Sequence, residues 1–166
     1  FVDGRRVPVV SHSAAGGDAP PADRIELVLV HSDGNDLDIL QHTEVYQTLA
    51  QLKREGKILA FGLSGKTVDG GLLALQQGDC AMVTYNLNEQ AERPVLDYAA
   101  AHGKGILIKK ALASGHACLK PGDDPVRRSF ELLFGHPGVS GAIIGTINPQ
   151  HLTANVRTAA AVLTGN

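Results

Sequence analysis

The chain alternates between short runs that are apolar almost throughout and longer stretches in which apolar residues recur every three or four positions. Ile25-Glu26-Leu27-Val28-Leu29-Val30 is the first such run, nearly all apolar and rich in branched side chains, the texture of a buried parallel strand. A polar loop follows over 31–36. Within 43–55, Val45, Leu49 and Leu52 recur at spacings of four and three, and Gly56 stops that helix. The same alternation predicts strand 57–64, helix 68–77, strand 80–84, helix 94–102, strand 105–109, helix 125–134, strand 141–144 and helix 149–163. The boundaries carry their own signals. Pro94 sits in a first turn with Gly103 past its end, Asp124 and Gly135 bracket the helix at 125–134, and Asn148 caps the last helix.

Strand followed by helix, repeated from residue 25 onward, means βαβ units and a parallel sheet with right-handed crossovers. Two α/β architectures fit this order: an open doubly wound sheet, or an arc of a (β/α)8 barrel. Both place chemistry at the carboxyl ends of the strands. The residues just after the strands are His31-Ser32-Asp33, Ser64-Gly65-Lys66, Tyr85-Asn86, Lys109-Lys110 and Gly145-Thr146-Ile147-Asn148. One histidine, three lysines and several hydroxyls and amides thus converge on one rim, suited to an anionic ligand. The last loop runs into a helix N-terminus, where free N–H groups and the helix dipole favour phosphate. No G-x-G-x-x-G and no G-x-x-x-x-G-K-[ST] follows a strand. Asp33, Asn35, Asp36 and Asp38 imitate part of a calcium loop but fail its order, so no metal is expected.

Composition narrows the picture. The chain has 166 residues and a net charge of -2, enough for one domain and too acidic for a nucleic-acid binder. No apolar run reaches the roughly 18 residues of a spanning helix, so no membrane contact is expected. The start shows no secretory signal. Cys80 and Cys118 read as reduced thiols of a cytoplasmic protein. Residues 1–24, with Ser11-His12-Ser13-Ala14-Ala15-Gly16-Gly17 and Pro20-Pro21, read as an irregular N-terminal segment, and 25–166 as the folded part.

Six blocks in sequence order now point to a family. Arg24 to His31 resembles the "D-Y-I-D-L-Y-L-I-H" strand of the aldo-keto reductases, which ends in their catalytic histidine. Leu49 to Ser64 is similar to "L-x-x-L-x-x-x-G-K-I-R-x-I-G-V-S", and Tyr85-Asn86-Leu87 to the "E-Y-N" segment. Gly105 to Leu112 stands where the family has "G-x-x-V-x-A-Y-S-P-L". His136 to Gly145 resembles "P-G-V-x-x-x-I-x-G", and Asn148-Pro149-Gln150-His151-Leu152 with Asn155 resembles "N-P-E-H-L-x-E-N". The likeness covers about 24–160.

The resemblance implies a (β/α)8 TIM-type barrel, here incomplete, with about five C-terminal βα units, since a full barrel needs about 250 residues. It implies NADPH as cofactor, with NADH as second choice, and reduction of a small aldehyde or ketone. Of the family's histidine, tyrosine, lysine and aspartate, only the histidine carries over, as His31. The others belong to the first half of the barrel, so the isolated chain is expected to be inactive. Residues 5–23 also depart from the family's amphipathic helix. For the cofactor, the resemblance implies Ser64 and Met82 at the nicotinamide carboxamide, with Gly65 in place of a frequent asparagine. Lys109 replaces a stacking tyrosine and is expected to meet phosphate. Leu112 and Ser114 fall in the loop over the pyrophosphate. Gly145, Thr146, His151 and Asn155 lie at the adenosine end, where a lysine and an arginine are common in the family. Tyr85 is the sole candidate for a substitute proton donor. An incomplete barrel exposes strand edges, so self-association is expected. The alternatives are a catalytically silent dinucleotide-binding or regulatory module, and a small flavodoxin-like phosphate-binding domain.

Overall fold

The computed structural model describes residues 24–112 and 124–165. The elements are β1 (Ile25–His31), α1 (Asp36–His42), α2 (Val45–Arg54), β2 (Ile58–Ser64), α3 (Val68–Gln77) and β3 (Cys80–Thr84). They continue with α4 (Arg93–His102), β4 (Gly105–Lys109), α5 (Pro125–Phe134), β5 (Gly141–Ala142) and α6 (Pro149–Thr164). All five strands are parallel and stand in the order β1-β2-β3-β4-β5. A doubly wound sheet needs that order to reverse at a switch point. This order never reverses, so the flavodoxin-like alternative is excluded and the sheet is an arc of a barrel. The expected N-terminal segment up to residue 23, Ser114 and Cys118 lie outside the described residues.

Two elements differ from the sequence expectation. Residues 36–42, read as part of a polar loop and its continuation, form the short helix α1. The strand expected over 141–144 pairs for only two residues, Gly141 and Ala142, against Leu107 and Ile108.

Each strand sends alternate side chains to opposite faces. Val28, Val30, Phe61 and Leu63 pack on the helix side with Leu40, Tyr46, Leu49 and Ala74. Ala81, Val83, Tyr85, Ile106 and Ile108 pack there with Leu75, Val95, Leu96, Ala99, Leu133 and Val139. The complementary positions form the other face and end at the rim. Register sets His31 beside Ser64, Ser64 beside Met82, and Thr84 beside Lys109. The helices are pinned by the caps the sequence announces. Asp124 accepts hydrogen bonds from the Val126 and Arg127 N–H groups, and Gly103 ends α4 in the left-handed region at φ 64°. Cys80 is buried, and burial, helped by Asp79, pushes its thiol up to about 12, so it stays an inert thiol.

Candidate active site

The rim is built from the carboxyl ends of adjacent strands. His31 closes β1 and is exposed, with no hydrogen-bond partner among the described residues. Ser64, its register neighbour on β2, is buried, and among the described residues its Oγ reaches only the Met82 sulfur at 3.6 Å. A thioether is a weak acceptor, so this hydroxyl keeps most of its bonding capacity. His31, Ser64, Gly65, Met82 and Lys109 therefore share one patch, as the sequence suggests.

The patch is held by a carboxylate that the sequence reading set aside. Asp36 is 1% exposed. Its carboxylate accepts from Ser32 Oγ, from the Lys66 and Thr67 N–H groups at 2.8 Å each, and from Thr67 Oγ1 at 2.7 Å. Burial alone would raise its pKa, but these donors outweigh it and hold the acid below its ordinary value of 3.8. Asp36 thus ties the loop after β1 to the loop after β2 and to the start of α3, where Thr67 caps the helix through the Gly70 N–H. Two glycines make room for it. A Cβ on Gly65 would lie 2.9 Å from Asp36 Oδ2, and one on Gly70 would lie 2.2 Å from Asp36 Cβ. The glycine that replaces a frequent asparagine of the resembled family is therefore explained: Asp36 occupies the space its side chain would enter.

Lys109 spans the rim from β4 to β2. Its Nζ donates to the Gly65 carbonyl. It is expected from sequence to meet phosphate, but its ammonium already has this internal acceptor. Half-burial lowers its pKa, while the nearby Glu92 and Asp36 charges pull the other way. Glu92 stands at the start of α4 and is 7% exposed. One carboxyl oxygen accepts from the Thr84 N–H at 2.7 Å, and the other, Oε1, is buried without a partner among the described residues. Burial raises its pKa above 4.5. Beside them, Asn86 donates to the Lys110 carbonyl at 3.1 Å and accepts from the Asn88 and Glu89 N–H groups. Lys110 takes φ 54°, the left-handed turn that this amide fixes.

A second patch lies after β5. Gly145 faces open space, His151 is exposed and Asn155 is half-buried. The helix N-terminus here is not free, contrary to expectation. Asn148 Oδ1 accepts from the Gln150 and His151 N–H groups at 2.8 and 3.4 Å, and Thr146 Oγ1 accepts from the Asn148 N–H. The chain's own side chains have taken the donors that a phosphate would use. Leu112 is half-buried at the end of the described loop.

None of the three tyrosines serves the rim. Tyr46 is in the core beside Phe61, and Tyr98 stacks on His102. Tyr85, the one candidate proton donor, turns into the helix layer. It lines a hollow of about 440 Å³ with Arg93, Asp97 and His136. His136 accepts from the Gly138 N–H at Nδ1 and so donates from Nε2 to Asp97 at 2.9 Å, which commits both ring nitrogens to structure. Sequence reasoning missed Asp36 and Glu92. Gly65 and Gly70 were the available signal for the first; the second carries none, because a glutamate at a helix start ordinarily faces water.

Among the described residues, no cluster of histidine, cysteine and acidic groups could hold a metal, and no helix is long and apolar enough to cross a membrane. The model of the aldo/keto reductase family matches residues 21–132. No curated protein matches the chain. A protein of Pseudomonas aeruginosa described as an aldo-keto reductase is 72% identical, over 85% of this chain and 53% of its own, with a TM-score of 0.78. Two more distant structures share the fold. One is an aldo-keto reductase from Bacillus halodurans in its holo form, at 18% identity, 82% and 56% coverage and a TM-score of 0.68. The other is an aldo/keto reductase from Klebsiella pneumoniae in complex with NADP and acetate, at 21%, 84% and 54%, and 0.60. The chain spans about half the length of these solved relatives.

Proposed function

The chain belongs to the aldo/keto reductase family, and from that premise we propose that the whole protein reduces small aldehydes or ketones to alcohols with NADPH, NADH being the second choice. The observation that carries this reading is the register pair at the rim. Among the described residues, an exposed histidine without a side-chain partner stands next to a serine whose hydroxyl is engaged only by a thioether. That pairing fits a carbonyl and a nicotinamide carboxamide side by side.

The dinucleotide, when bound, supplies the hydride. The rest is asked of the chain. A ring N–H of His31 donates to the carbonyl oxygen and gains strength as negative charge develops there, worth about 10²–10⁴ in rate for a well-placed group. Ser64 Oγ exchanges its Met82 contact for the carboxamide, and Met82 packs beside it. Gly65 makes room for Asp36 behind the site, while Lys109 stays on the Gly65 carbonyl and borders the same end. Leu112 and Ser114 belong to the loop over the pyrophosphate. Gly145, Thr146, His151 and Asn155 receive the adenosine end. No lysine or arginine occupies the two positions there at which the family commonly carries them. A 2′-phosphate would thus find few charge-assisted bonds, and preference for NADPH over NADH would be weak.

The test has two parts. NADPH and NADH are titrated by fluorescence into this chain, and turnover of an aldehyde is followed in the full-length gene product. In the latter, His31→Ala is expected to lower kcat/KM at least a hundredfold and to change the dinucleotide Kd by less than about threefold. Equal turnover in the variant would overturn the role of His31. A second reading, a dinucleotide-binding module without turnover, draws on this chain alone, in which no tyrosine stands at the rim. Tight binding together with no turnover by the full-length product would select it.

A further inference from the structure

The hollow of about 440 Å³ lies in the helix layer, between α4 and the turn after α5, on the other side of the sheet from His31 and Ser64. Tyr85 lines it, is 1% exposed, and its hydroxyl makes no hydrogen bond among the described residues. A buried hydroxyl without a partner costs free energy. The Tyr46 hydroxyl is sealed in the core, whereas that of Tyr85 keeps an opening, and the hollow is what Tyr85 lines. Two more polar groups there are uncommitted. Asp97 gives Oδ1 to His136 Nε2 at 2.9 Å, but its Oδ2 stands 3.9 Å from Arg93 Nε, beyond hydrogen-bond length. The Arg93 guanidinium is more than half exposed and makes no hydrogen bond among the described residues. Ala100 and Leu132 give the hollow an apolar wall.

We infer that this hollow binds a free α-amino acid with an apolar side chain. Its volume is that of a small-ligand site, which runs from about 300 to 1,000 Å³. The lining presents one positive group, Arg93, and one negative group, Asp97. The His136 ring adds no charge in this arrangement, since its Nδ1 accepts the Gly138 N–H while Nε2 serves Asp97. An anion alone would be repelled by the Asp97 carboxylate, and a cation alone by the Arg93 guanidinium. A zwitterion satisfies both. Its carboxylate accepts from Arg93 and from the Tyr85 hydroxyl, its ammonium donates to Asp97 Oδ2, and its side chain lies on Leu132 and Ala100. A polyol would reach the same three groups, but it brings no opposite charge to either ion and nothing apolar to the wall. Because the rim takes no part, the site stands or falls independently of the reductase reading.

The experiment is equilibrium dialysis of the 166-residue chain against tritiated L-leucine. Saturable binding is expected, displaced by unlabelled L-leucine. Isocaproate lacks the ammonium, leucinamide lacks the carboxylate, and glycerol is a polyol; each is expected to compete at least tenfold less well. No saturable binding up to about 10 mM L-leucine overturns the proposal, as does equal competition by any of the three analogues, and neither comparison needs a variant. Tyr85→Phe keeps the ring and removes only the unpartnered hydroxyl. It is expected to weaken leucine binding about fivefold. Asp97→Asn keeps an acceptor for His136 but removes the charge that faces the ammonium, and is expected to weaken binding at least tenfold. Unchanged leucine affinity in either variant, with a wild-type circular dichroism spectrum, would overturn the assignment of the hollow as the site.

Discussion

Asp36 and Glu92 are two buried carboxyls a few residues from the same rim, and their surroundings drive them in opposite directions. Asp36 has four donors, so its ionised form is the native one. Removing it strands the Lys66 and Thr67 N–H groups. Asp36→Ala is expected to cost about 3 kcal/mol in urea unfolding at pH 7, the usual loss when one side of a buried charged network goes. A folded pKa below the ordinary 3.8 contributes stability above that pH, and the contribution is lost as pH falls through the folded value. Asp36→Asn should therefore flatten the acid limb of the stability curve. Glu92 has the reverse sign. Its raised folded pKa means stability is greatest below 4.5 and declines as pH rises through the folded value. Glu92→Gln should remove that decline and unfold at the same or higher urea concentration than wild type at pH 7. A third substitution tests the close approach of Gly70. Alanine in a helix interior ordinarily gains about 1 kcal/mol over glycine. Here its Cβ would lie 2.2 Å from Asp36 Cβ, whose carboxyl is fixed by its donors. Gly70→Ala is expected to destabilise by about 2 kcal/mol, so packing outweighs propensity. A gain in the unfolding midpoint would show that Asp36 is free to move.

At the scale of elements, the sequence was legible wherever one local signal sufficed. Asp124, Asn148, Pro94 and Gly103 each marked a helix end, and the caps form there. The apolar runs at 25–30, 80–84 and 105–109 marked strands because parallel strands are covered on both faces. The short helix α1 was missed because it opens with aspartates and asparagine, the residues of a turn, and buries only Asp36 and Leu40. Asp36 was missed with it. Its role depends on donors thirty residues away, which no local spacing announces. The free helix N-terminus expected at Asn148 failed for the converse reason, because the cap that starts α6 also consumes its donors. These contacts also rank the elements by strength. No residue of α6 is buried, and Leu152, Val156 and Leu163 are exposed on it, while α4 buries Val95, Leu96 and Ala99 against β3 and β4. Opening costs little where few apolar contacts are broken. Hydrogen exchange read by mass spectrometry should show α6 exchanging at least tenfold faster than α4. Equal protection would mean that α6 is covered by something it touches in solution.

The whole molecule poses the problem of an arc. β1 pairs only with β2 and β5 only with β4 among the described residues, so each end of the sheet offers unpaired N–H and C=O groups. A closed barrel has no such edges, whereas an open parallel sheet presents a template for another chain. Ile25 at the β1 edge is 55% exposed, and it is not shielded by a charge of its own. Apparent mass from size exclusion with light scattering is accordingly expected to exceed 17.4 kDa and to rise with concentration; a constant 17.4 kDa would defeat the expectation. The surface responsible can be separated from its rival. Ile25→Lys places a charge on the β1 edge, the device by which natural sheets discourage edge pairing, at an exposed position where the fold loses little. Leu152→Lys does the same to the apolar face of α6, where Leu152 is 48% exposed. If strand edges drive association, the first substitution lowers the apparent mass and the second leaves it alone. If the opposite holds, the arc closes on itself well enough in solution, and the open face of α6 is what seeks a partner.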